Sequence, residues 1–287
     1  MILGVLIIAI IAVSAIAFNG IGMEKQTLKI ATTTSLEDTG LLDSLEKEFE
    51  AKNPNIDVQI ISAGTGQALE YGKKGDVDLV MVHSKKQEQT FLDEGYGTNR
   101  TIFAYNYFYI IGPENDPAGI KNTAATESFS KIMVAGENNS DLVKFISRGD
   151  NSGTNTREIT IWNKTGVDYN SSISGKPWYI ETGKGMGDTI NIANEKLAYT
   201  LSDSGTFLAF KGNITLVALV TDGKDLLNVY SLIPVNRSKF SNVNTDASNK
   251  WIAFVTSNDG QKIIGEFGVK DYGQKLFTPY VGTVDPT

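Results

Sequence analysis

With 287 residues, 41% of them hydrophobic and 21% charged, the chain has the composition of a soluble globular protein with room for two domains. A formal net charge of -7 argues against a nucleic-acid partner, which asks for a basic face, but not against a small anion held by local donors. The absence of cysteine excludes disulfides, a thiol nucleophile, a thiolate metal site and a lipid-modified leader cysteine, and the single histidine, His83, excludes a histidine-rich metal site.

The chain opens on an uncharged apolar stretch at 2–18, at the lower edge of a membrane span and slightly long for a signal core. No Lys or Arg precedes it, and Ala15-Ile16-Ala17 fits a small-x-small cleavage site. Residues 1–26 are therefore expected to be an export signal or membrane anchor plus a tether, with the folded part starting near Thr27.

Residues 28–31 predict a strand ending in Thr32-Thr33-Thr34-Ser35. Thr39-Gly40 opens a helix with Leu41, Leu42, Leu45 and Phe49 on one face, stopped by Asn53-Pro54. A strand at 56–61 ends in Ser62-Ala63-Gly64-Thr65-Gly66-Gln67, and a short helix at 68–74 closes on Gly75. A buried strand at 78–82 leads to His83, and a helix at 85–93 closes on Gly95. Strands alternating with helices imply βαβ units and a largely parallel sheet. Ligands bind such sheets outside the carboxyl ends of the strands, where the hydroxyl- and glycine-rich segments fall.

The aromatic strand at 103–111, closed by Gly112-Pro113, is long enough to leave one domain and enter another. A turn at Asp116-Pro117-Ala118-Gly119, a short helix at 128–135 and a strand at 142–146 lead to Ser147-Arg148-Gly149-Asp150-Asn151-Ser152-Gly153-Thr154. A helix follows at 155–162, with Ile159 and Trp162 on one face. An arginine, two hydroxyls and a glycine thus sit at a helix N-terminus, where backbone N–H groups lack intrahelical partners and the dipole favours negative charge. Arg148 adds a fixed fork of donors suited to oxyanions. The plainer alternative is an N-cap, with Ser152 or Thr154 capping a surface helix and Arg148 solvated.

Gly183-Lys184-Gly185-Met186-Gly187-Asp188-Thr189 lacks the preceding strand and spaced acid of a nucleotide loop, and reads as a hinge or a second helix N-terminus facing the cleft. A strand at 197–201 ends in a further cluster, Ser202-Asp203-Ser204-Gly205-Thr206. Strands follow at 216–221 and 229–235, the second a candidate return crossing, and then helices at 251–255 and 261–267. Six Asn-x-Ser/Thr sequons, at Asn99, Asn138, Asn163, Asn170, Asn213 and Asn236, would be glycan acceptors in an exported protein, though chance accounts for most in a chain this rich in Asn, Ser and Thr.

In order and spacing, Ala31-Thr32-Thr33-Thr34-Ser35, Gly64-Thr65-Gly66-Gln67-Ala68-Leu69, the octapeptide from Ser147, Gly185-Met186-Gly187 and Ala198-Tyr199-Thr200-Leu201-Ser202-Asp203-Ser204-Gly205-Thr206 resemble the tungstate-binding proteins of Tup-type ABC transporters. Gly95-Tyr96-Gly97, Asn106 with Phe108, and Gly112-Pro113 fit the same pattern, and the resemblance runs from about Leu28 to Tyr280. It implies an α/β type II periplasmic-binding-protein fold, two lobes joined by two crossing strands with the ligand cleft between them. Lobe I would take 27–108 and 229–287, and lobe II 109–228. It implies a monomeric receptor rather than an enzyme, without cofactor or metal cation, that captures tungstate (or its near twin molybdate) and delivers it to a permease driven by an ATPase. Such a protein is exported to the periplasm or the outer face of the cytoplasmic membrane. Bacterial members are periplasmic or lipid-anchored; lacking a leader cysteine, this chain would have to anchor through its apolar segment.

Carried over by that resemblance, Thr33, Thr34 and Ser35 are expected to donate from lobe I with Thr65 beside them. Arg148 would be the charged clamp, with Ser152, Gly153 and Thr154 donating from the helix N-terminus opposite; Ser202 and Thr206 are weaker candidates. Asp150 either orients the guanidinium or caps a helix, and His83 is expected to be structural rather than part of the cleft wall. Phosphate receptors share the fold and the donors, but phosphate keeps a proton near neutral pH and benefits from an acceptor, so Asp38, Asp150, Asp188 or Asp203 aimed at the ligand would separate the readings. The alternatives of another class are a hydrolase using Ser35 or Ser152, which lacks a Gly-x-Ser-x-Gly elbow, and an oxyanion-sensing ectodomain.

Overall fold

The computed structural model describes residues 25–286; the stretch expected to be a signal or anchor lies outside them. Among the described residues no helix is long and apolar enough to cross a membrane. β1 (Gln26–Thr33) is exposed at its start and buried from Ile30 onward, as befits a strand entering a sheet covered on both faces. α1 (Thr34–Glu37) follows at once, because the Thr33 side chain accepts the Leu36 N–H and caps it. α2 (Leu41–Lys52) turns Leu41, Leu42, Leu45 and Phe49 inward, and β2 (Ile56–Ala63) returns parallel to β1. α3 (Thr65–Lys74) ends on Gly75, whose φ of 71° is the left-handed conformation glycine adopts without cost. β3 (Leu79–Val82) joins the other side of β1 in parallel, and α4 (Lys85–Asp93) follows.

The long strand β4 (Thr101–Gly112) then changes company. As far as Tyr107 it pairs with the returning strand, and from Phe108 with strands of the second lobe. That lobe comprises α5 (Ala125–Asn138), β5 (Phe145–Ser147), α6 (Gly153–Lys164), α7 (Tyr169–Ser172), β6 (Tyr179–Glu181), α8 (Met186–Glu195), β7 (Tyr199–Asp203), α9 (Ser204–Phe210) and β8 (Val217–Val220). The chain returns through β9 (Leu227–Pro234), adds α10 (Thr245–Val255), α11 (Asn258–Glu266) and α12 (Val269–Tyr272), and finishes with β10 (Thr278–Gly282) along β4.

The strand order is β2-β1-β3-β9-β4-β7-β5-β6, with β8 and β10 also on β4. Parallel pairing is confined to β1 with β2 and β3, and to β5 with β6 and β7. The largely parallel sheet expected from the element alternation is thus a mixed one: β4 and β9 run antiparallel to each other and to their neighbours. Strands that leave a lobe and come back cannot both follow a βαβ crossover. Two apolar runs also start later than expected. Leu142 and Leu197 are 57% exposed, and Leu197 sits at φ 48° in the turn that closes α8, so β5 and β7 begin beyond them. Aromatic packing fixes each lobe's core: Phe129, Phe145 and Trp178 around Trp162 in one, Trp251 and Phe254 against Phe49 in the other.

Candidate functional site

The strand ends of the two lobes face one another, and the hydroxyl- and glycine-rich segments lie on them. From β1 come Thr33, Thr34 and Ser35; from β2 Gly64, Thr65 and Gly66; from β3 His83. From β5 comes the loop that carries Arg148, and Gly185, the N-cap of α8, follows β6. The lobes meet closely at glycines. A Cβ placed on Gly153 would lie 2.8 Å from His83 Cε1, and one on Gly66 2.7 Å from Asn151 Nδ2. One on Gly185 would lie 3.9 Å from Thr34 Oγ1, which places the α8 N-terminus at the cleft.

Arg148 is 2% exposed. Its Nε and Nη2 donate to Asp150 Oδ2 at 3.1 and 2.6 Å, and Nη2 also reaches across the cleft to Thr34 Oγ1 at 3.3 Å. Asp150 Oδ1 accepts the Ser152 N–H at 3.1 Å, so Asp150 orients the guanidinium and has both oxygens engaged. Arg148 Nη1 is buried without a partner among the described residues, as are Thr65 Oγ1 from one lobe and Thr154 Oγ1 from the other. Buried polar groups are rarely left so, because each costs about 1–3 kcal/mol. Ser152 caps α6 by accepting the Asn155 N–H at 3.2 Å, which leaves its own proton to give. The N–H groups of Gly153 and Thr154 belong to the first turn of α6, which has no intrahelical acceptor.

Guanidinium, hydroxyl and amide donors of the two lobes thus stand unpartnered where the lobes meet. The nearby carboxylates are solvent-exposed or satisfied. Asp38 and Asp188 are solvent-exposed, and Asp203 accepts the Thr206 N–H and Oγ1–H at 2.9 and 2.7 Å. Burial raises the Asp203 carboxyl above its ordinary range, with the Thr206 bonds pulling the other way. Of the two weaker candidates, Thr206 Oγ1 is held by Asp203 and Ser202 Oγ donates to the Asp203 carbonyl at 3.0 Å; both hydroxyls have protein partners, unlike Thr65 and Thr154.

Sequence reasoning missed the supports. Ser147 Oγ accepts the Gly149 N–H (3.2 Å) and Asn155 Nδ2 (3.3 Å) and donates to Glu158 Oε2 (2.7 Å), while Asn155 Oδ1 accepts the Asn151 N–H (3.1 Å). Tyr179 and Trp162 donate to Glu158 Oε1 at 2.6 and 3.0 Å. Even with these donors, burial pushes the Glu158 carboxyl up to about 7. Across the cleft, Gln87 Nε2 bonds Asn151 O (3.2 Å) and Thr156 Oγ1 (2.7 Å), bridging a groove of about 650 Å³ outside the cradle.

His83 lies buried where the lobes meet, with both ring nitrogens engaged. Its Nε2 lies 3.2 Å from Ser35 Oγ and its Nδ1 2.9 Å from Asn228 Oδ1, the connectivity of a nucleophile, base and orienting group. Burial, and then the charges of Arg148 and Arg157, hold its pKa down to about 4 against the opposing Asn228 bond, which makes it a poor base near neutrality.

Comparisons with known proteins agree with the two-lobed fold. A family model described as a PBP superfamily domain matches residues 22–259. The chain is 38% identical over 255 residues to the tungstate-binding protein TupA of Peptoclostridium acidaminophilum, covering 89% of this chain and 86% of that one. Among solved structures, the tungstate ABC transporter protein of Geobacter sulfurreducens shares 46% identity at a TM-score of 0.74, covering 85% of this chain and 100% of the other. The tungstate-binding protein TupA of Desulfovibrio alaskensis G20 shares 41% at 0.73, covering 90% and 100%.

Proposed function

The chain belongs to the PBP superfamily and, within it, to the family of those tungstate-binding proteins, and on that footing we propose that it is the substrate-binding protein of an ABC transporter that captures tungstate outside the cytoplasmic membrane and hands it to the permease. The observation that carries this reading is the trio of buried, unpartnered donors, Thr65 Oγ1, Arg148 Nη1 and Thr154 Oγ1, contributed by both lobes. A tetrahedral dianion is the ligand class that satisfies several such donors at once. Lobe I is taken as 27–108 with 229–287 and lobe II as 109–228, with Thr33, Thr34, Ser35, Thr65, Arg148, Ser152, Gly153 and Thr154 as the anion's neighbours. The anion then bridges the lobes and favours their closure about β4 and β9.

The engagement of Asp150 by Arg148 and Ser152, and of Asp203 by Thr206, supports a fully deprotonated anion over hydrogen phosphate, because neither carboxylate stands unpartnered to receive a P–OH. Molybdate matches tungstate in charge and shape, and titration decides between them. Isothermal titration calorimetry of the purified full chain with tungstate, molybdate, phosphate and sulfate tests the reading. Tight tungstate binding with weak phosphate and sulfate binding supports it; tightest binding of phosphate would remove the family's ligand from this chain.

A further inference from the structure

The cleft's lone imidazole is wired to the strands about which the lobes turn. Asn106 on β4 and Asn228 on β9 are register partners on the two crossing strands. The Leu276 carbonyl can only accept, and Asn106 Nδ2 faces it at 3.5 Å. Asn106 Oδ1 is thereby left to accept from Asn228 Nδ2 at 2.9 Å, and the same Nδ2 donates to Tyr230 OH at 2.8 Å. Asn228 Oδ1 then faces His83 Nδ1 at 2.9 Å, so that nitrogen carries the ring's proton. A neutral ring protonated there has its lone pair on Nε2, 3.2 Å from Ser35 Oγ, and the Ser35 hydroxyl must donate to it. The ring cannot turn out of this chain: Tyr230 stacks on it at 5.0 Å and Gly153 of the other lobe lies against it.

We propose that His83 is a positioning residue of the anion site: held in a hydrogen-bond chain of fixed polarity from the crossing strands, its Nε2 accepts the hydrogen bond of the Ser35 hydroxyl, so that Ser35 meets the anion through its backbone N–H rather than its hydroxyl. The proposal rests on the oxyanion-receptor reading for the identity of the ligand, though the chain of bonds does not. It assigns a different donor atom to Ser35 from the one the sequence suggests, and it joins the site to the hinge by side-chain bonds rather than by backbone alone. The charges acting on the ring are Arg148, Arg157 and Asp150, and burial keeps it neutral over the working range.

Because His83 is the chain's single histidine, its ring nitrogens give an unambiguous signal. Two-bond ¹H–¹⁵N correlation spectra of the ¹⁵N-labelled full chain at pH 7 are expected to show a neutral ring protonated at Nδ1, with and without saturating tungstate. A ring protonated at Nε2, or at both nitrogens, overturns the proposal whether or not any oxyanion binds. Calorimetry supplies the second readout. His83→Ala and Ser35→Ala are each expected to weaken tungstate binding roughly 3- to 10-fold, and the double variant no further, since both break one connection. Multiplying losses would mean the two side chains act separately and would overturn it. If His83→Ala fails to fold, His83→Gln, whose amide oxygen can still accept from Ser35, replaces it and is expected to recover most of the affinity; a loss in His83→Gln equal to that of Ser35→Ala counts against the relay. Turnover of p-nitrophenyl acetate above background that disappears in Ser35→Ala would also overturn it, by making Ser35 and His83 a catalytic pair. If tungstate does not bind the unaltered chain at all, the receptor reading falls while the spectra still decide the relay.

Discussion

Gly153→Ala is the sharpest probe of closure, because it adds one methyl at the point where the lobes meet. A Cβ there would stand 2.8, 2.9 and 3.0 Å from Cε1, Nδ1 and Nε2 of His83, against the 3.5–4.0 Å at which carbon atoms pack comfortably. The imidazole cannot yield, since Tyr230 stacks on it and Asn228 holds Nδ1. Overpacking of this kind costs about 1–3 kcal/mol. Gly153 begins α6 in one lobe and His83 follows β3 in the other, so the cost falls on the closed form alone. The helix itself is better served by Ala than by Gly. The expected outcome is a loss of tungstate affinity of roughly 5- to 140-fold, with no fall in the melting temperature of the unliganded protein. Small-angle scattering on the variant should show less compaction with saturating tungstate than the parent shows. An affinity within twofold of the parent would mean that the lobes do not meet at Gly153 in the bound form, and the reasoning would be refuted.

Arg148→Ala should weaken tungstate binding by at least ~1.5–3 kcal/mol, the range for hydrogen bonds to charged groups; an unchanged isotherm would take Arg148 out of the site. Thr154→Val keeps the shape and removes an unpartnered hydroxyl, so the unliganded melting temperature should hold or rise while affinity falls roughly tenfold, and the opposite pattern would make the hydroxyl structural. Glu158 predicts a pH effect. Burial raises its carboxyl to about 7 from the ordinary 4.5, so the folded chain keeps a proton that the unfolded chain sheds. Stability then falls as pH rises from about 4.5 through 7, by on the order of 3 kcal/mol in full. Glu158→Gln should flatten that fall in melting curves taken at pH 5 and pH 8, and equal falls in both proteins would locate the titration elsewhere.

The donors of the cleft could be read from the chain because they are local: hydroxyls and glycines cluster where an apolar run ends, and Arg148 lies two residues from the aspartate that holds it. The supports are not local. Asn106 and Asn228 are single amides in otherwise apolar strands, and pairing them takes the register of β4 on β9, which no periodicity encodes. Glu158 lies on the face of α6 that carries Asn155 and Trp162, a helical spacing that was there to be read, yet a lone carboxylate on a helix reads as solvated until its burial is known. Asp203 stands three residues before Thr206, the spacing of an N-cap, and that signal alone would have lowered Thr206 as a ligand donor. Strand direction was the other blind spot, since a run of apolar residues looks the same whichever way it crosses the sheet.

The three unpartnered donors have a consequence for economy in transport. Shutting the lobes on nothing strands Thr65 Oγ1, Arg148 Nη1 and Thr154 Oγ1 away from both water and cargo, at about 1–3 kcal/mol apiece. An idle receptor would therefore rest open, and a shut one would be a truthful report of a loaded one. A transporter that fires only on the shut shape would then need no contact with the metal oxyanion itself to avoid wasting ATP on empty deliveries.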